Sequence, residues 1–448
     1  MQRHMKSPEI FKKTIVMKKT ICLLSLFLFL TASCRRSDPI PKRVHEYPHY
    51  DIKLKIDPLS RVIDVEGTLF IADPEDLPGE MFFYLDKGLD IRSFALNKTQ
   101  DLIQGTTTSD NRFLPAAAKL IMDKDAFSQA ETIEIAFSYG GELSELPAYF
   151  ANTISGEWTE MGLYYPWFPY HPEITLFTYD LEIEIDPSYR VFGMGEVNRS
   201  DAGWKIENDT PTNDIVVCAS EDMELKQRQI ADDVISIYHH DLTDTLLTRM
   251  QGDLTSIITN FNGWFGSKSQ NITLVESKRR KGGGYARIGG VFLGGFNPDD
   301  YLERNEHYHR YFAHELAHLW WFKAGTNSWE DWLNEGFAEY SALMVVREVF
   351  GEDAFTARLK TKAESLEGTP PVWGFDRNTS DSASAVLYDK APLLLSKLEA
   401  KIGRARFIAL CRVLIDKNMD STNRFLELLM QSEGQETSDW FAELLRTY

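Results

Sequence analysis

Two histidines four residues apart, with a glutamate between them, constrain the fold of this chain more than any other feature. His314 and His318 enclose Glu315 in the sequence His-Glu-Leu-Ala-His. On an α-helix, positions i and i+4 lie on the same face, so both imidazoles can bind one metal ion. A carboxylate on a second helix facing the first would complete the site. Glu335 and Glu339, one helical turn apart, are the two candidates.

These residues predict a catalytic zinc site. Two histidines and one carboxylate bind Zn²⁺ and leave its fourth position open for water, which is typical of catalytic rather than structural zinc. Glu315 would lie beside that water and accept its proton. We therefore expect one Zn²⁺ per chain, with His314 and His318 as ligands and Glu315 as the general base. The alternative is two core histidines and a solvated glutamate.

The pattern of apolar residues predicts the helices that carry this motif. A first helix is expected over residues 301–323, because apolar residues recur around the two histidines. Ser328 followed by Asp331 resembles a capping box, which predicts a second helix from about Trp329 to the residue before Gly351.

The motif and its surroundings resemble the aminopeptidase N-type family of zinc metallopeptidases, which includes leukotriene A hydrolase. The resemblance rests on His-Glu-Leu-Ala-His followed by Trp-Leu-Asn-Glu-Gly-Phe-Ala-Glu-Tyr, and it extends over roughly residues 46–448. It implies that Glu335, in its Asn-Glu-Gly context, is the third zinc ligand, and that Glu339 supports the site or lies at the surface. The segment Ala385–Ala391 resembles the family's Tyr-x-Lys-Gly segment, which implies that Tyr388 stabilises the oxyanion of the tetrahedral intermediate.

The chain departs from the family pattern in three places. The spacing between His318 and Glu335 is shorter than usual, and we expect a short form without the family's large helical C-terminal domain. Arg287 aligns with the family's glutamate that binds the free amino terminus of the substrate. We expect a strand over residues 287–293, with the zinc helix following an edge strand. Arg287, Gly289 and Gly290 are expected to contact substrate, because glycine would let a peptide lie along this strand. The alternative for Arg287 is an ion pair with one of the chain's many acids, facing away from the zinc. The resemblance supports zinc chemistry and leaves aminopeptidase specificity open.

The amino-terminal segment predicts export and a lipid anchor. A basic start at Met17, which is a candidate initiator, precedes the apolar stretch 21–30. This stretch is too short to span a bilayer. We interpret residues 1–33 as a signal peptide and Cys34 as a lipidated first residue, with 34–45 as a tether. The protein would then be an extracytoplasmic bacterial lipoprotein held at the membrane, in the periplasm or at the cell surface. A plain signal peptide with an unmodified Cys34 is the alternative.

The fold class predicted for the remaining chain is α+β. Period-two alternation over residues 46–220 indicates an antiparallel β-rich domain, and 221–448 is expected to be a thermolysin-like, mainly helical zinc-peptidase domain. The basic run 278–281 is interpreted as a solvated loop. Cys218 and Cys411 are interpreted as buried thiols, with a disulfide as the alternative.

The overall negative charge of the chain argues against one class of partner. Acidic residues number 67 and basic residues 48, which gives a formal net charge of −19 and argues against nucleic acid as a partner. The expected function is hydrolysis of peptide bonds in a peptide or protein substrate. A zinc hydrolase acting on a non-peptide substrate and a catalytically silent zinc-containing surface binding protein are the alternatives.

Overall fold

The computed structural model describes most of residues 46–448. The stretches left out of this description are 73–76, 98–99, 110, 112–113, 128–131, 148–151, 231–232, 268–270, 280–282, 327 and 378–379. The expected signal peptide, Cys34 and the whole of the tether lie outside the described residues, so these remain predictions of the sequence. No helix in the described part of the chain combines the length and apolar character needed to cross a membrane.

Strands dominate the described residues from His49 to Ser220. Alternation of apolar and polar residues produces them: in the first strand every second residue from Tyr50 to Ile56 is buried against the core. The strands are β1 His49–Asp57, β2 Val62–Ile71, β3 Phe82–Asp86, β4 Leu89–Leu96, β5 Gln100–Asp101, β6 Ile103–Thr108, β7 Ala117–Met122, β8 Ile133–Glu142, β9 Thr159–Met161, β10 Phe177–Glu184, β11 Arg190–Gly193, β12 Glu196–Ser200, β13 Gly203–Thr212 and β14 Val217–Ser220.

These strands form three sheets. The largest has eight strands in the order β12-β13-β10-β1-β2-β8-β4-β5, and two three-stranded sheets have the orders β11-β14-β9 and β3-β7-β6. The sheets are antiparallel as predicted, with one exception: β1 and β10 pair in parallel, with His49 opposite Thr178. A parallel pair needs a crossover of at least about a dozen residues, and the chain between β1 and β10 is far longer than that.

A mixed five-stranded sheet follows, in the order β15-β16-β17-β19-β18. Its strands are β15 Glu224–Ile230, β16 Asp233–His239, β17 Ile272–Glu276, β18 Tyr285–Arg287 and β19 Gly290–Leu293. The single strand expected over 287–293 is wrong: β18 and β19 form a hairpin, and Gly289 makes its turn with φ +88°. The strand preceding the motif helix is β19, which is internal, so the expectation of an edge strand there is also wrong.

Helices account for most of the chain after residue 300. They are α1 Asp244–Phe265, α2 Asn305–Ala317, α3 Trp332–Phe350, α4 Glu352–Glu364, α5 Ala383–Ala385, α6 Ala391–Ile402, α7 Arg404–Asp416, α8 Thr422–Glu433 and α9 Gln435–Thr447, with a π-helical turn at Val386–Lys390 and 3₁₀ turns at Lys124–Phe127, Pro298–Asp300 and Trp329–Asp331. The order of a β-rich part followed by a helical part confirms the predicted fold class. The domain boundary at 220/221 remains a prediction, although no sheet in the described residues combines strands from both sides of it.

The two motif helices differ from prediction at their ends. The helix α2 is shorter than the expected 301–323, because the backbone tightens into turns after Ala317, where His318 and Leu319 donate to carbonyls three residues earlier. The helix α3 ends at Phe350, before Gly351, as expected, and begins at Trp332 rather than at about Trp329. The capping box is wrong in detail: the Ser328 hydroxyl accepts from the amide of Glu330, and the Asp331 carboxylate bonds elsewhere.

Candidate active site

The packing of α2 against α3 brings the three predicted zinc ligands together. One donor atom from each of His314, His318 and Glu335 lies within 4.8 Å of the others, and they form the one such cluster of metal-binding type in the described part of the chain. Glu335 Oε2 is 3.2 Å from Nε2 of His314 and 3.5 Å from Nε2 of His318. That oxygen is buried and accepts no hydrogen bond from a described residue. A cation such as Zn²⁺ fits this donor set and would satisfy the oxygen.

Hydrogen bonds on the far side of each imidazole fix its orientation. Nδ1 of His314 is 3.1 Å from Oε2 of Glu339, and Nδ1 of His318 is 3.0 Å from the carbonyl oxygen of Trp321. Each acceptor favours the tautomer with the proton on Nδ1, which leaves the Nε2 lone pair directed toward Glu335. This arrangement is typical of metal-binding histidines.

Glu339 is buried, so the surface role left open by the resemblance is wrong. Its Oε1 accepts from Arg310 Nη1 at 2.6 Å and from Lys362 Nζ at 2.7 Å. Burial alone would raise the pKa of Glu339, but His314, Arg310 and Lys362 hold it well below its usual range. The carboxylate therefore stays ionised and acts on the predicted ligand His314.

Protonation of the histidines competes with metal binding. Burial alone would lower the pKa of His314, whereas Glu335 and Glu339 raise it to about 10. A cation bound by Nε2 must displace a proton from that imidazole, so its affinity falls as the pH is lowered.

Glu315 and Tyr388 have the protonation properties that their predicted roles require. Burial raises the pKa of Glu315, while His314 and His318 act in the opposite direction. A carboxylate with a raised pKa is a stronger base than one in water. Burial, reinforced by Glu335, raises the pKa of Tyr388 well above its usual value. The phenol therefore keeps its proton and can donate a hydrogen bond.

The π-helical turn Val386–Lys390 presents Tyr388 to the metal cluster. The ring centroids of Tyr388 and His314 are 5.6 Å apart. The side chain of Lys390 anchors this turn to neighbouring segments. Its ammonium group donates to the carbonyls of Thr369, Pro370 and Tyr448. Single π-helical turns occur often at functional sites.

A cavity of about 700 Å³ joins these groups. Residues from β18, α2, α3 and the π-helical turn line one side of it, and residues from the β-rich part line another. The predicted site residues among its lining are His314, Glu315, His318, Glu335, Tyr388 and Arg287. Aromatic side chains from the β-rich part, Tyr164 and Tyr170, also line it.

Arg287 lines the cavity but is committed to a buried ion pair. Its side chain is 7% exposed, and Nε is 2.7 Å from Oδ2 of the fully buried Asp214. Nη1 donates to the carbonyl of Ala286 at 2.8 Å, and Nη2 is buried without a hydrogen-bond partner among the described residues. The guanidinium is close enough to lower the pKa of Glu315, although burial and other groups weigh more. Its predicted contact with substrate remains a prediction.

The structure places Gly289 and Gly290 away from the lining of the cavity. A Cβ on Gly290 would lie 2.7 Å from the sulfur of Met194, so this glycine allows close packing against the β-rich part. The residues of this hairpin that line the cavity are instead 284–288. A role for the two glycines in binding substrate stays a prediction of the sequence.

Two further sequence expectations can be compared with the structure. The solvated loop predicted for the basic run 278–281 is wrong for Arg279, whose side chain is 3% exposed and pairs with Glu160 at 3.1 Å. Cys218 and Cys411 are buried free thiols, as predicted. Sequence reasoning missed Asp214, Arg310 and Lys362, because each lies far along the chain from the residue that it contacts.

The helical part of the chain matches the model of a known protein family. Residues 297–444 match the model described as the Peptidase family M1 domain. Leucine aminopeptidase 2 of Neosartorya fischeri is 36% identical over 109 residues, which are 21% of this chain and 18% of that protein. Aminopeptidase M1-D of Oryza sativa subsp. japonica is 32% identical over 108 residues, which are 21% of this chain and 12% of that protein. The chain thus aligns with less than a fifth of these relatives.

Solved structures of similar fold cover nearly the whole described chain. An M1 zinc metallopeptidase from Deinococcus radiodurans superimposes with a TM-score of 0.64 and 16% identity, over 89% of this chain and 93% of that one. Native leukotriene A4 hydrolase from Saccharomyces cerevisiae gives a TM-score of 0.67 and 17% identity, over 89% of this chain and 67% of that one. These matches confirm the resemblance inferred from the sequence, and with the His-His-Glu cluster they support Zn²⁺ as the cofactor.

Proposed function

We propose that this chain, which carries a peptidase family M1 domain, is a zinc-dependent metallopeptidase that hydrolyses peptide bonds. One observation carries the proposal: the three metal donors line the same cavity as two groups that are not donors to the metal, Glu315 and Tyr388. A protein that kept zinc only for structure would have no need of a buried base and a half-buried phenol beside the ligands. The silent binding protein is therefore the weaker alternative.

The residues of the cavity have separate roles in the proposed hydrolysis. A bound zinc ion supplies Lewis acidity and lowers the pKa of water. Glu315 accepts a proton from the attacking water and passes it to the nitrogen of the leaving amine. The hydroxyl of Tyr388 donates to the oxyanion that develops on the substrate carbonyl. The carboxylate of Glu339 keeps His314 oriented while charge changes in the cavity.

A mixed peptide library tests this proposal directly. Purified, zinc-loaded protein is incubated with the library, and cut sites are mapped by mass spectrometry. We expect cleavage products that disappear when a chelator removes the metal and return when zinc is added back. Absence of any zinc-dependent cleavage would contradict a peptidase and favour the alternative of a non-peptide substrate.

The surroundings of Arg287 argue against strong binding of a free amino terminus. Among the described residues that line the cavity, the carboxylates are Glu315, Asp331 and Glu335. Glu315 is the proposed base, Glu335 is a proposed ligand, and Asp331 is paired with Arg377 at 3.0 Å. The acid in direct contact with Arg287 is Asp214, and the guanidinium already neutralises it. Among the described residues, a substrate ammonium group would therefore find no uncommitted carboxylate at this end of the cavity.

We infer that simple aminoacyl amides are poor substrates, and that internal bonds or substrates with acidic groups are cleaved better. The measurement compares kcat/KM for fluorogenic aminoacyl amides with kcat/KM for an internally quenched peptide. A higher kcat/KM for the free-amine amides would refute this specificity without touching the zinc mechanism.

We also propose that the mature protein is held at the membrane outside the cytoplasm by a lipid on Cys34. The support is the sequence alone: a basic start, a short apolar stretch and small residues before the cysteine. Expression of wild type and Cys34→Ala in a Gram-negative host, followed by detergent partitioning, tests it. Only the wild type should enter the detergent phase, and equal partitioning would contradict the anchor.

A further inference from the structure

Lys362, on the neighbouring helix α4, bridges two parts of the proposed active site. Its side chain is 10% exposed. The ammonium group is 2.7 Å from Glu339 Oε1, 2.7 Å from the backbone carbonyl oxygen of Tyr388 and 3.3 Å from Asp389 Oδ1. Its three N–H donors therefore have three acceptors, two of which belong to residues of the π-helical turn.

The two short contacts lead to different functional groups. Glu339 in turn contacts His314, because its second carboxylate oxygen, Oε2, lies 3.1 Å from Nδ1 of His314. The second short contact is to the backbone carbonyl of Tyr388, whose phenol is the proposed oxyanion donor. Tyr388 lies in the π-helical turn, where backbone hydrogen bonds run from residue i+5 to residue i, as from Ala391 to Val386. One ammonium thus contacts the carboxylate behind a zinc ligand and the backbone of the proposed oxyanion donor.

We propose that Lys362 is a positioning residue that fixes Tyr388 relative to the zinc ligand His314, an inference that rests on the proposed function. Removing an ammonium group from water is costly, and a lysine used only for packing would keep its charged end in solvent. Charge-assisted hydrogen bonds to well-placed acceptors offset that cost. Because the acceptors belong to α3 and to the π-helical turn, the same bonds fix the separation of these two elements.

Arg310 provides a matched control. Its Nη1 lies 2.6 Å from the same oxygen of Glu339, but Arg310 is on α2, the helix that carries His314. Among the described residues, Arg310 contacts Glu339 as Lys362 does, but only Lys362 of the two also contacts Tyr388. Loss of Arg310 should therefore weaken only the support of His314, whereas loss of Lys362 should weaken that support and also release Tyr388.

The experiment compares Lys362→Met with Arg310→Met. Zinc affinity is measured by competition with a chelator, and kcat is measured at saturating zinc. Both variants should bind zinc about 10-fold more weakly, as expected when a group behind a metal ligand is disturbed. At saturating zinc, Arg310→Met should regain the wild-type kcat, whereas Lys362→Met should remain roughly 10-fold below it with unchanged KM. In a Tyr388→Phe background, Lys362→Met should cause no further loss of kcat.

A second readout does not depend on activity. With 3-fluorotyrosine in place of tyrosine, the ¹⁹F resonance of Tyr388 is identified by its absence in Tyr388→Phe. Lys362→Met should shift this resonance and Arg310→Met should leave it in place. If the wild type cleaves no peptide, the proposed function fails, while the zinc affinities and the resonance still decide the role of Lys362. Should Lys362→Met fail to fold, Lys362→Gln, which keeps a hydrogen-bond donor, is measured in the same way.

Two results would overturn the inference. The first is a wild-type kcat for the folded Lys362 variant at saturating zinc, together with an unshifted Tyr388 resonance. The second is a loss of kcat from the Lys362 variant that adds in full to the loss from Tyr388→Phe, because residues that act through one another do not give additive effects.

Discussion

At the scale of single residues, the site is organised by carboxylates with distinct partners. Glu335 faces the two Nε2 atoms, Glu339 accepts from the opposite side of His314, and Asp214 is neutralised by Arg287. The same chemical group is therefore a predicted ligand in Glu335, a support for His314 in Glu339 and a counter-ion in Asp214, according to its neighbours. Burial raises the pKa of Asp214, although Arg287 acts in the opposite direction.

Arg287 and Asp214 together permit a test of specificity. Arg287→Glu alone would leave two buried carboxylates in contact, and breaking such a pair costs about 3–5 kcal/mol. The double variant Arg287→Glu/Asp214→Asn places one free carboxylate at the same point without that repulsion. We expect kcat/KM for aminoacyl amides to rise at least about 10-fold in the double variant, since a carboxylate attracts an ammonium group. Asp214→Asn alone is the control, and an unchanged double variant would refute the specificity assigned to Arg287.

At the scale of elements, the helix that carries Glu335 packs directly against the segment that carries Tyr388. Gly336 of α3 follows Glu335, and a Cβ on it would lie 2.7 Å from the Cβ of Ala391, the residue immediately after the π-helical turn. That distance is shorter than real carbon–carbon contacts allow. The absence of a side chain at Gly336 therefore sets how closely α3 approaches the turn of Tyr388.

Gly336→Ala should destabilise the protein although alanine is the better helix former. Helix propensity favours the change by about 1 kcal/mol, whereas overpacking costs about 1–3 kcal/mol. Urea unfolding should show a net loss of stability, and kcat should fall because the turn of Tyr388 is displaced. Adding Ala391→Gly should relieve both effects. The control is Gly252→Ala in α1, where a Cβ meets nothing within 4 Å and stability should rise. A stable, fully active Gly336→Ala variant would contradict the close approach of the two elements.

The sequence predicted most of this arrangement and missed the parts that depend on distant contacts. The spacing of His314 and His318 within one helix places both on one face, so local periodicity is sufficient to predict that half of the site. The resemblance supplied Glu335 and Tyr388. Neither source could assign Lys362 to Glu339 or Asp214 to Arg287, because tertiary packing alone sets which charged groups meet.

At the scale of the whole molecule, buried ion pairs connect the β-rich part to the segment that lines the cavity. Glu160 of β9 is fully buried and lies 3.1 Å from Nε of Arg279, and the Ser277 hydroxyl donates to the same carboxylate at 2.5 Å. Asp214 and Arg287 form a second such pair. The segment 277–287, which ends with the edge strand β18, is therefore held against the β-rich part by two buried ion pairs.

Removal of one partner from the first pair should be costly. Arg279→Met leaves the carboxylate of Glu160 buried without its cation, and we expect a loss of about 3–5 kcal/mol in the free energy of unfolding. The matched control is Lys55→Met, which breaks a pair with Glu184 whose side chains are 65% and 60% exposed, and there we expect a much smaller loss, because exposed ion pairs contribute little to stability. Urea denaturation measures the free energy of unfolding of both variants. Equal losses of this free energy would contradict a structural role for the buried pair.

The central claim is that Glu315 is a base and Glu335 is a ligand. The most direct measurement is zinc content and peptide hydrolysis for Glu315→Gln and Glu335→Gln, purified under identical conditions with folding checked by circular dichroism. We predict that Glu315→Gln retains one zinc ion per chain and loses at least about 100-fold in kcat, because only the proton acceptor is lost. Glu335→Gln should lose zinc and activity together. A Glu315→Gln protein that turns over substrate at the wild-type rate would contradict the account.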